Sequence, residues 1–288
     1  MNTAAAPTPT APRVVDIGGV PVWVQGQGPV LVFLHGWPDG PALWEDTVLG
    51  LQGTHTCVRV TLPGFDLARP PQPSSVDAIC AFLRTVVDTV SPGLPVTLVL
   101  HDWGCFFGYE YAARHSDRVA RVVGVDVGDT NSSAYLRGLT LREKVLIAGY
   151  QLWLAVAWSV GPHWPGLAQA MTHWMARQVG CRSPAHTMGW QMNYPYAMQW
   201  WGAFGGLRGV ARAHRVLGPV LPTLFVYGRR KPFMFHSQAW LDQLAATPGC
   251  AAEGLDAGHW LMRQQPERFL AVLRAWLDQP AAPPKPKP

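Results

Sequence analysis

An aspartate stands where a predicted buried strand turns into a helix. The apolar run from Val96 to Leu100 is typical of a strand covered on both faces in a parallel sheet, and a helical pattern follows over about 105–115. Asp102 lies in the turn between them. Such a turn lifts the side chain clear of the sheet, beside the N–H groups and the dipole of the helix N-terminus. We expect Asp102 to be a nucleophile; the alternative is an ordinary helix N-cap.

The neighbours of Asp102 bear on whether the chain can turn so sharply. Small side chains are needed there, and Gly104 and Cys105 satisfy this requirement on the C-terminal side. On the N-terminal side, Leu100 stands where a smaller residue is more usual. We therefore expect local repacking around Leu100.

Two other turns supply partners for a carboxylate nucleophile. A predicted strand leads into His35-Gly36-Trp37-Pro38, where the backbone N–H of Trp37 can pair with that of Trp103 to bind an oxyanion. Farther along, His259 lies in a loop just before the last helix, where it can act as a general base. The alternative for the turn at His35-Gly36-Trp37-Pro38 is a plain connecting turn, and the alternative for His259 is a structural histidine. Asp256 precedes His259 too closely to orient the far nitrogen of its ring, so we interpret Asp256 as a turn residue.

Strands and helices alternate along much of the chain, as a scaffold for these residues requires. This alternation predicts an α/β fold with a doubly wound, mostly parallel sheet. Gly26-Gln27-Gly28, between the first two strands, predicts a β-hairpin. The predicted strands cover 20–24, 30–34, 57–62, 96–100, 121–127, 222–227 and about 250–255, and the predicted helices 75–89, 105–115, 236–246 and 266–277.

The alternation stops over residues 130–217, where helical patterns predict a cap inserted between two halves, 14–129 and 218–278, of one catalytic domain. Residues 145–176 contain no Asp, Glu, Lys or Arg. Such a stretch lines an apolar substrate pocket or lies on a membrane surface. Gly161-Pro162 and Pro165-Gly166 interrupt the stretch and argue against a membrane-spanning helix, and we favour the pocket. The stretch contains Trp153, Trp158, Trp164 and Trp174.

Composition limits the class of protein. The 288 residues are 48% hydrophobic, enough for a sizeable core, and the net charge of +5 comes without a long basic run, which argues against nucleic-acid binding. Five scattered cysteines with no C-x-x-C pair indicate reduced thiols in a cytoplasmic protein. We expect flexible tails at 1–13 and 279–288, and the N-terminal residues have no signal-peptide pattern.

Four motifs together resemble the α/β-hydrolase superfamily, and within it the epoxide hydrolase and haloalkane dehalogenase group. The resemblance covers about 14–277 and implies an α/β-hydrolase fold with an inserted helical cap. The element around Asp102 is specific for the branch with a carboxylate nucleophile, since esterases and lipases carry serine there. Tryptophan before Pro38 resembles epoxide hydrolases more than dehalogenases. The motifs are His35-Gly36-Trp37-Pro38, Leu62-Pro63-Gly64-Phe65, His101-Asp102-Trp103-Gly104 and Gly258-His259-Trp260-Leu261-Met262.

The resemblance also implies an acid that orients His259, but here the chain departs from the usual pattern. Epoxide hydrolases usually carry this acid in a G-x-x-D turn after the strand that follows the cap, where this chain has Lys231. Some dehalogenases place the acid at the end of the strand before the cap, a position that falls on Asp126. We expect Asp126 to be the acid, with Asp129 as the alternative. A third reading is that Asp126 only bonds nearby backbone.

Epoxide hydrolases use two cap tyrosines to polarise and protonate the epoxide oxygen. The predicted cap offers Tyr135, Tyr150, Tyr194 and Tyr196, and we take Asn193-Tyr194-Pro195-Tyr196 as the candidate source of the proton donors. The resemblance therefore implies catalytic roles for Asp102, His259, Asp126, Tyr194 and Tyr196, and oxyanion or substrate binding by His35, Trp37 and Trp103.

The implied reaction converts an apolar epoxide to a vicinal diol through an ester on Asp102, with no metal or organic cofactor. A haloalkane dehalogenase is the alternative enzyme, with the halide held by the indole N–H groups of Trp37 and Trp103. A binding protein that has lost its acid, as Lys231 suggests, is the alternative without catalysis. The expected partners are a small apolar epoxide or alkyl halide and water. Nucleic acid is not expected as a partner, the sequence disfavours membrane association, and a homodimer is left open.

Overall fold

A computed structural model describes residues 11–201 and 221–279 of the chain. Most of each predicted tail lies outside these residues; the exceptions are residues 11–13 and 279. Residues 202–217 of the predicted cap also lie outside them. Arg13, assigned to the N-terminal tail from the sequence, is the first residue of a strand.

Eight strands form one sheet in the order β1-β2-β4-β3-β5-β6-β7-β8. The pairs β1–β2 and β2–β4 are antiparallel, and every other pair is parallel. The predicted mostly parallel sheet is therefore confirmed. The strands are β1 (Arg13–Ile17), β2 (Val20–Gly26), β3 (Val30–Leu34), β4 (Thr56–Val60), β5 (Val96–His101), β6 (Val119–Val125), β7 (Thr223–Gly228) and β8 (Ala251–Leu255).

The predicted hairpin between β2 and β3 is wrong. β2 pairs with β1 through the turn at Gly18 and Gly19, both at positive φ, and its other edge pairs with β4. β3 instead lies between β4 and β5. The reason is that β3 is apolar on both faces and is covered fully only as an inner parallel strand. The glycines after β2 lead the chain past β4.

Helices cover both faces of the sheet, as the alternating side chains of the strands require. In β3, Val32 and Leu34 belong to one buried cluster with α2 and α3, whereas Leu31 and Phe33 belong to the other with α1 and α10. The helices are α1 (Glu45–Leu51), α2 (Val76–Val90), α3 (Trp103–Arg114), α4 (Ser133–Gly138), α5 (Leu141–Val160), α6 (Pro165–Gln178), α7 (Tyr194–Trp201), α8 (Gln238–Ala246), α9 (Leu261–Gln264) and α10 (Pro266–Leu277).

Between β6 and β7, the described residues 130–201 form helices and 3₁₀ turns joined by short loops, and they contain no strand. They include α4 to α7, and α5 packs on both α6 and α7. A capping box of Thr140 and Glu143, each side chain bonding the other residue's backbone N–H, starts α5. In the parts of the chain that the structure covers, no helix is long and apolar enough to cross a membrane.

Candidate active site

Asp102 stands at a strained backbone turn between β5 and α3. Its φ is 54°, and within the described ranges only Asp102 and Asp126, at φ 70°, are non-glycine residues with positive φ. Such strain tends to occur at functional sites. Asp102 occupies the N-cap position of α3, yet its side chain makes no capping hydrogen bond. This leaves the carboxylate free for other partners and argues against a purely capping role.

Glycines let the turn pack tightly. A Cβ on Gly104 would lie 2.5 Å from the carbonyl oxygen of His35 and 2.6 Å from that of Leu34. Backbone oxygens cannot move aside cheaply, so only glycine fits. Helix α3 therefore starts directly against the end of β3, which brings the turn after β3 beside Asp102.

The bulky Leu100 is accommodated by another glycine. Leu100 is fully buried, and a Cβ on Gly108 of α3 would fall within 2.6 Å of Leu100 Cδ1 and closer still to Cδ2. The leucine thus occupies space left by the glycine across from it. This is the repacking expected at Leu100.

Two backbone N–H groups converge on Asp102. The N–H of Trp37 donates to Asp102 Oδ1 at 2.6 Å, and the N–H of Trp103 also hydrogen-bonds the carboxylate. The Trp37 indole points away and donates to Asn193 Oδ1 at 2.7 Å, while Asn193 Nδ2 donates to Thr172 Oγ1 at 2.8 Å. The loop that carries the Trp37 N–H is therefore anchored to the helical segment between β6 and β7. Sequence reasoning missed this role of Asn193, for which there is no local signal.

The structure places His259 between two carboxylates. Its Nε2 is 3.6 Å from Asp102 Oδ2, and its Nδ1 is 2.5 Å from Asp126 Oδ2. Asp126, just after β6, is fully buried. The alternative acid, Asp129, lies elsewhere and accepts from the N–H of Ser237 at the start of α8, at 2.7 Å. Of the two candidates, only Asp126 can orient the ring.

The other oxygen of Asp126 is also occupied. Oδ1 accepts from the N–H of Gly228 at 2.9 Å and from Nζ of Lys231. Lys231 stands where the acid of the usual pattern was expected. Lys231 thus binds Asp126, the carboxylate that takes over the role of the usual acid.

These contacts set the charges of the site. Burial alone lowers the pKa of His259, but its hydrogen bonds to Asp102 and Asp126 outweigh burial and raise the pKa to about 9. Burial alone raises the pKa of Asp126, yet the charge of Lys231 and the bond to His259 hold it at about 2. The pKa of Asp102 also lies below its ordinary value, because the bonds to His259 and Trp103 outweigh burial. At neutral pH the site holds an imidazolium between two carboxylates.

His35 does not face this site, although it was predicted to bind the oxyanion or substrate. Its ring is fully buried, and Nε2 accepts from the N–H of Leu62 at 3.1 Å. Burial lowers the pKa of His35 to about 4, so the ring is neutral. The prediction is corrected: His35 holds its own turn against the turn at Leu62-Pro63-Gly64-Phe65, and the apolar surroundings make it a structural residue.

A cavity of about 160 Å³ opens beside Asp102, mostly against the helical segment. Tyr196, one of the two predicted donors, lines it, and so does Tyr150. Tyr194, the other predicted donor, does not. It is fully buried, with its ring 5.8 Å from that of Phe65, because the helical turn from Tyr194 to Tyr196 sends the two side chains in different directions. The cavity is lined by Asp102, Trp103, Phe106, Val127, Thr130, Asn131, Tyr135, Leu136, Leu139, Ile147, Tyr150, Gln151, Tyr196, Gln199 and Phe235.

The charge-free stretch 145–176 divides between two environments. Ile147, Tyr150 and Gln151 line the cavity, in keeping with the favoured pocket interpretation, whereas Trp164 and Trp174 are exposed. Across 11–201 and 221–279, no three His, Cys, Asp or Glu side chains are grouped to hold a metal ion.

Comparisons with known proteins agree on the fold. Residues 29–263 match the family described as "alpha/beta hydrolase fold". An epoxide hydrolase from Bacillus megaterium, solved with an inhibitor, superimposes with a TM-score of 0.69 and 19% identity over 93% of this chain and 100% of that one. At this identity the likeness concerns the fold alone.

Two sequence relatives match over shorter stretches. A cis-3-alkyl-4-alkyloxetan-2-one decarboxylase from Shewanella oneidensis is 30% identical over 149 residues, which are 48% of this chain and 47% of that protein. A haloalkane dehalogenase from Mycolicibacterium smegmatis is 33% identical over 107 residues, 35% of this chain and 34% of that protein. The matched part thus spans about half or less of each relative.

Proposed function

The chain belongs to the alpha/beta hydrolase fold family, and within that family we propose that it hydrolyses an apolar epoxide to a vicinal diol. The observation that carries the proposal is the cavity that Asp102 shares with Tyr150 and Tyr196. An epoxide needs a nucleophile for one carbon and a proton donor for its oxygen, and these residue types supply both. Burial raises the pKa of both tyrosines above the ordinary value, as does the charge of Asp102, so both are protonated donors at neutral pH.

In the proposed first half-reaction, Asp102 attacks an epoxide carbon and the C–O bond breaks. Tyr150 or Tyr196 protonates the developing alkoxide and regains a proton, through solvent, at the expense of the imidazolium of His259. The product is a hydroxyalkyl ester on Asp102 beside a neutral His259. No base is needed for this step, because the carboxylate of Asp102 is already ionised.

In the second half-reaction, His259 removes a proton from water and the hydroxide adds to the ester carbonyl carbon. The oxyanion is bound by the N–H groups of Trp37 and Trp103, which already converge on the carboxylate. Collapse of this intermediate expels the alkoxide of the diol, which takes the proton that His259 removed from water, and the diol leaves. The carboxylic acid left on Asp102 gives its proton back to His259, so that the resting ion pair is restored and all atoms balance.

Dehalogenation is the competing reaction for the same nucleophile. It was expected to use the indole N–H groups of Trp37 and Trp103 for the halide. The Trp37 indole is instead bonded to Asn193 at 2.7 Å and does not line the cavity. Because this indole N–H is already hydrogen-bonded, epoxide hydrolysis is favoured over dehalogenation. A binding protein without catalysis is disfavoured for a different reason: Asp126 contacts His259 even though Lys231 occupies the usual acid position.

We extend the proposal to the surroundings of the site. The described residues of the predicted cap, 130–201, cover Asp102, since they supply most of the cavity wall. The five cysteines are free thiols, in keeping with a cytoplasmic enzyme. The substrate is a small, largely apolar epoxide, which matches the aromatic and aliphatic lining.

A panel of electrophiles tests the reaction type. Purified protein is incubated with styrene oxide, with 1-bromobutane and with a cis-3,4-dialkyl oxetan-2-one, the ring after which the Shewanella relative is named. Diol, bromide and carbon dioxide are measured. We expect diol from styrene oxide. Bromide without diol would assign the site to dehalogenation, and carbon dioxide without diol would assign it to lactone decarboxylation.

Trapping the ester tests the nucleophile directly. In His259→Gln the second half-reaction has no base, so the ester should accumulate and appear by mass spectrometry on the peptide that contains Asp102. Asp102→Asn is the isosteric control and should give no adduct. An adduct on another residue, or none with any electrophile of the panel, would refute Asp102 as nucleophile.

A further inference from the structure

Lys231 is a buried lysine within the proposed catalytic machinery that the mechanism does not yet use. Its side chain is only 5% exposed. Nζ binds Asp126 Oδ1 and lies 5.2 Å from the centre of the Phe235 ring. Burial lowers the pKa of Lys231, while the charge of Asp126 opposes that shift. Removing an ammonium group from water is costly, so a buried lysine is worth a functional explanation.

Asp126 is shared between two cations of different character. Its Oδ1 faces Lys231, whose charge does not change during the proposed reaction, and its Oδ2 faces His259, whose charge does. The lysine and the histidine therefore compete electrostatically for one carboxylate. The charge of Lys231, which binds one oxygen of Asp126, therefore also affects the pKa of His259 at the other oxygen.

The other groups around His259 are few in the described part of the chain. From β5, His101 packs against it with ring centres 4.4 Å apart and the rings tilted by 40°, and burial lowers the pKa of His101 to about 3, so it is neutral. Asp39, after β3, is buried with a raised pKa, and its oxygens accept from Ser183 and Trp260. His236, before α8, faces Lys231 and Asp126, and burial lowers its pKa to about 4. The charges in direct contact with His259 are thus those of Asp102 and Asp126.

This arrangement matters in the ester intermediate. Esterification removes the charge of Asp102, so among the residues that the structure describes Asp126 becomes the only carboxylate in contact with His259. An isolated buried carboxylate would keep the imidazolium protonated, and a protonated His259 cannot activate water. We propose that Lys231 is a positioning residue that offsets the charge of Asp126, so that His259 stays neutral and acts as a base once the ester has formed. This role rests on the proposed function, because it concerns the hydrolysis of the ester on Asp102.

The pH dependence of ester hydrolysis tests this role. Rapid-quench mass spectrometry of the full-length enzyme with styrene oxide measures formation and hydrolysis of the ester separately. For Lys231→Met we expect the midpoint of the hydrolysis rate to move up by about one to two pH units, the effect of a unit charge one carboxylate away. Formation of the ester should change much less. Lys231→Arg, which keeps the charge, should restore the wild-type midpoint.

A matched control removes a neighbouring charge. Arg230 is exposed, and its guanidinium pairs with Asp256 at 3.0 Å and not with Asp126 or Asp102. Arg230→Met should leave the midpoint where it is. An equal shift in Arg230→Met and Lys231→Met would mean that net charge alone is responsible, and it would overturn the proposal.

A second variant avoids an uncompensated buried charge in case Lys231→Met does not fold. Asp126→Asn with Lys231→Met removes both charges, so the pKa of His259 in the ester should fall and the midpoint should move down instead of up. Opposite shifts in the two variants support the role of Lys231. Slower hydrolysis at an unchanged midpoint in both would indicate a merely structural residue and overturn the proposal. The shifts in midpoint test only the role of Lys231 and do not bear on the proposed function. The proposed function itself would be refuted if the wild-type protein formed no ester.

Discussion

The contact between Leu100 and Gly108 predicts the effect of Gly108→Ala on stability. The added Cβ would lie 3.0 Å from Leu100 Cγ and nearer to both δ carbons, whereas carbon atoms in contact are about 3.5–4.0 Å apart. Leu100 is fully buried in β5, so its δ carbons cannot move out into solvent. Overpacking of this kind costs about 1–3 kcal/mol, and the better helix propensity of alanine returns about 1 kcal/mol. The net loss is about 0–2 kcal/mol, and we expect Gly108→Ala to lower the free energy of unfolding by about 1 kcal/mol, the middle of that range.

The sign of the change should reverse when Leu100 is shortened. Leu100→Ala alone should cost about 2–5 kcal/mol, because it leaves a cavity beside α3. In that background the alanine at position 108 no longer meets the δ carbons of Leu100 and partly fills the cavity, so Gly108→Ala should stabilise the protein by about 1 kcal/mol. The two substitutions are therefore coupled by about 2 kcal/mol.

Denaturant unfolding of the wild type, both single variants and the double variant, followed by circular dichroism, measures this coupling. Gly149→Ala is the matched control, since Gly149 is an exposed position inside α5 with nothing within 4 Å of an added Cβ. It should stabilise the protein by about 0.5–1 kcal/mol. A neutral or stabilising Gly108→Ala in the presence of Leu100, or additive effects, would refute the packing argument.

Three further predictions concern the site. Removing both cavity hydroxyls, in Tyr150→Phe with Tyr196→Phe, should slow formation of the ester about 10²- to 10⁴-fold, whereas Tyr194→Phe, outside the cavity, should not; equal losses in rapid-quench assays would contradict the proposed donors. Asn193→Leu frees the indole of Trp37 and should lower kcat about tenfold with little change in KM, and an unchanged kcat would show that the anchor is dispensable. The pKa of His259 is about 9 in the folded protein against about 6.5 in the unfolded chain, so protonation of His259 stabilises the fold fully below pH 6.5, and this contribution is lost as the pH rises through 9. Urea unfolding should therefore show that the free energy of unfolding falls by about 3 kcal/mol over this range, a fall that His259→Gln lacks.

The alternation of strands and helices was predictable because each inner strand is a compact apolar run. The order of pairing was not. β1 is five residues long and largely exposed, so its pattern is too weak to recognise from the sequence, and without it the glycines after β2 looked like a hairpin. Which strands become neighbours depends on covering both faces of β3, a property of the assembled sheet.

Within the candidate site, Asp102 and His259 were recognisable because each lies in a short motif at the end of a strand. The placement of Asp126 beside His259 agrees with the expectation drawn from the resemblance. The contacts of Lys231 with Asp126 and of Asn193 with Trp37 join residues 105 and 156 positions apart, and no local pattern reports them. The tyrosines were misjudged in part because a helical turn decides which of two nearby rings faces the cavity.

The bond between Asn193 and the Trp37 indole limits how this enzyme can be re-engineered. Most of the cavity wall comes from the helical segment after β6, so exchanging that segment for one from another enzyme is an obvious route to new substrates. The same segment, however, also holds the loop whose N–H faces Asp102. A transplanted segment must therefore present a hydrogen-bond acceptor to the Trp37 indole. Otherwise a chimera would gain a new pocket, but the N–H of Trp37 would no longer be held in place beside Asp102.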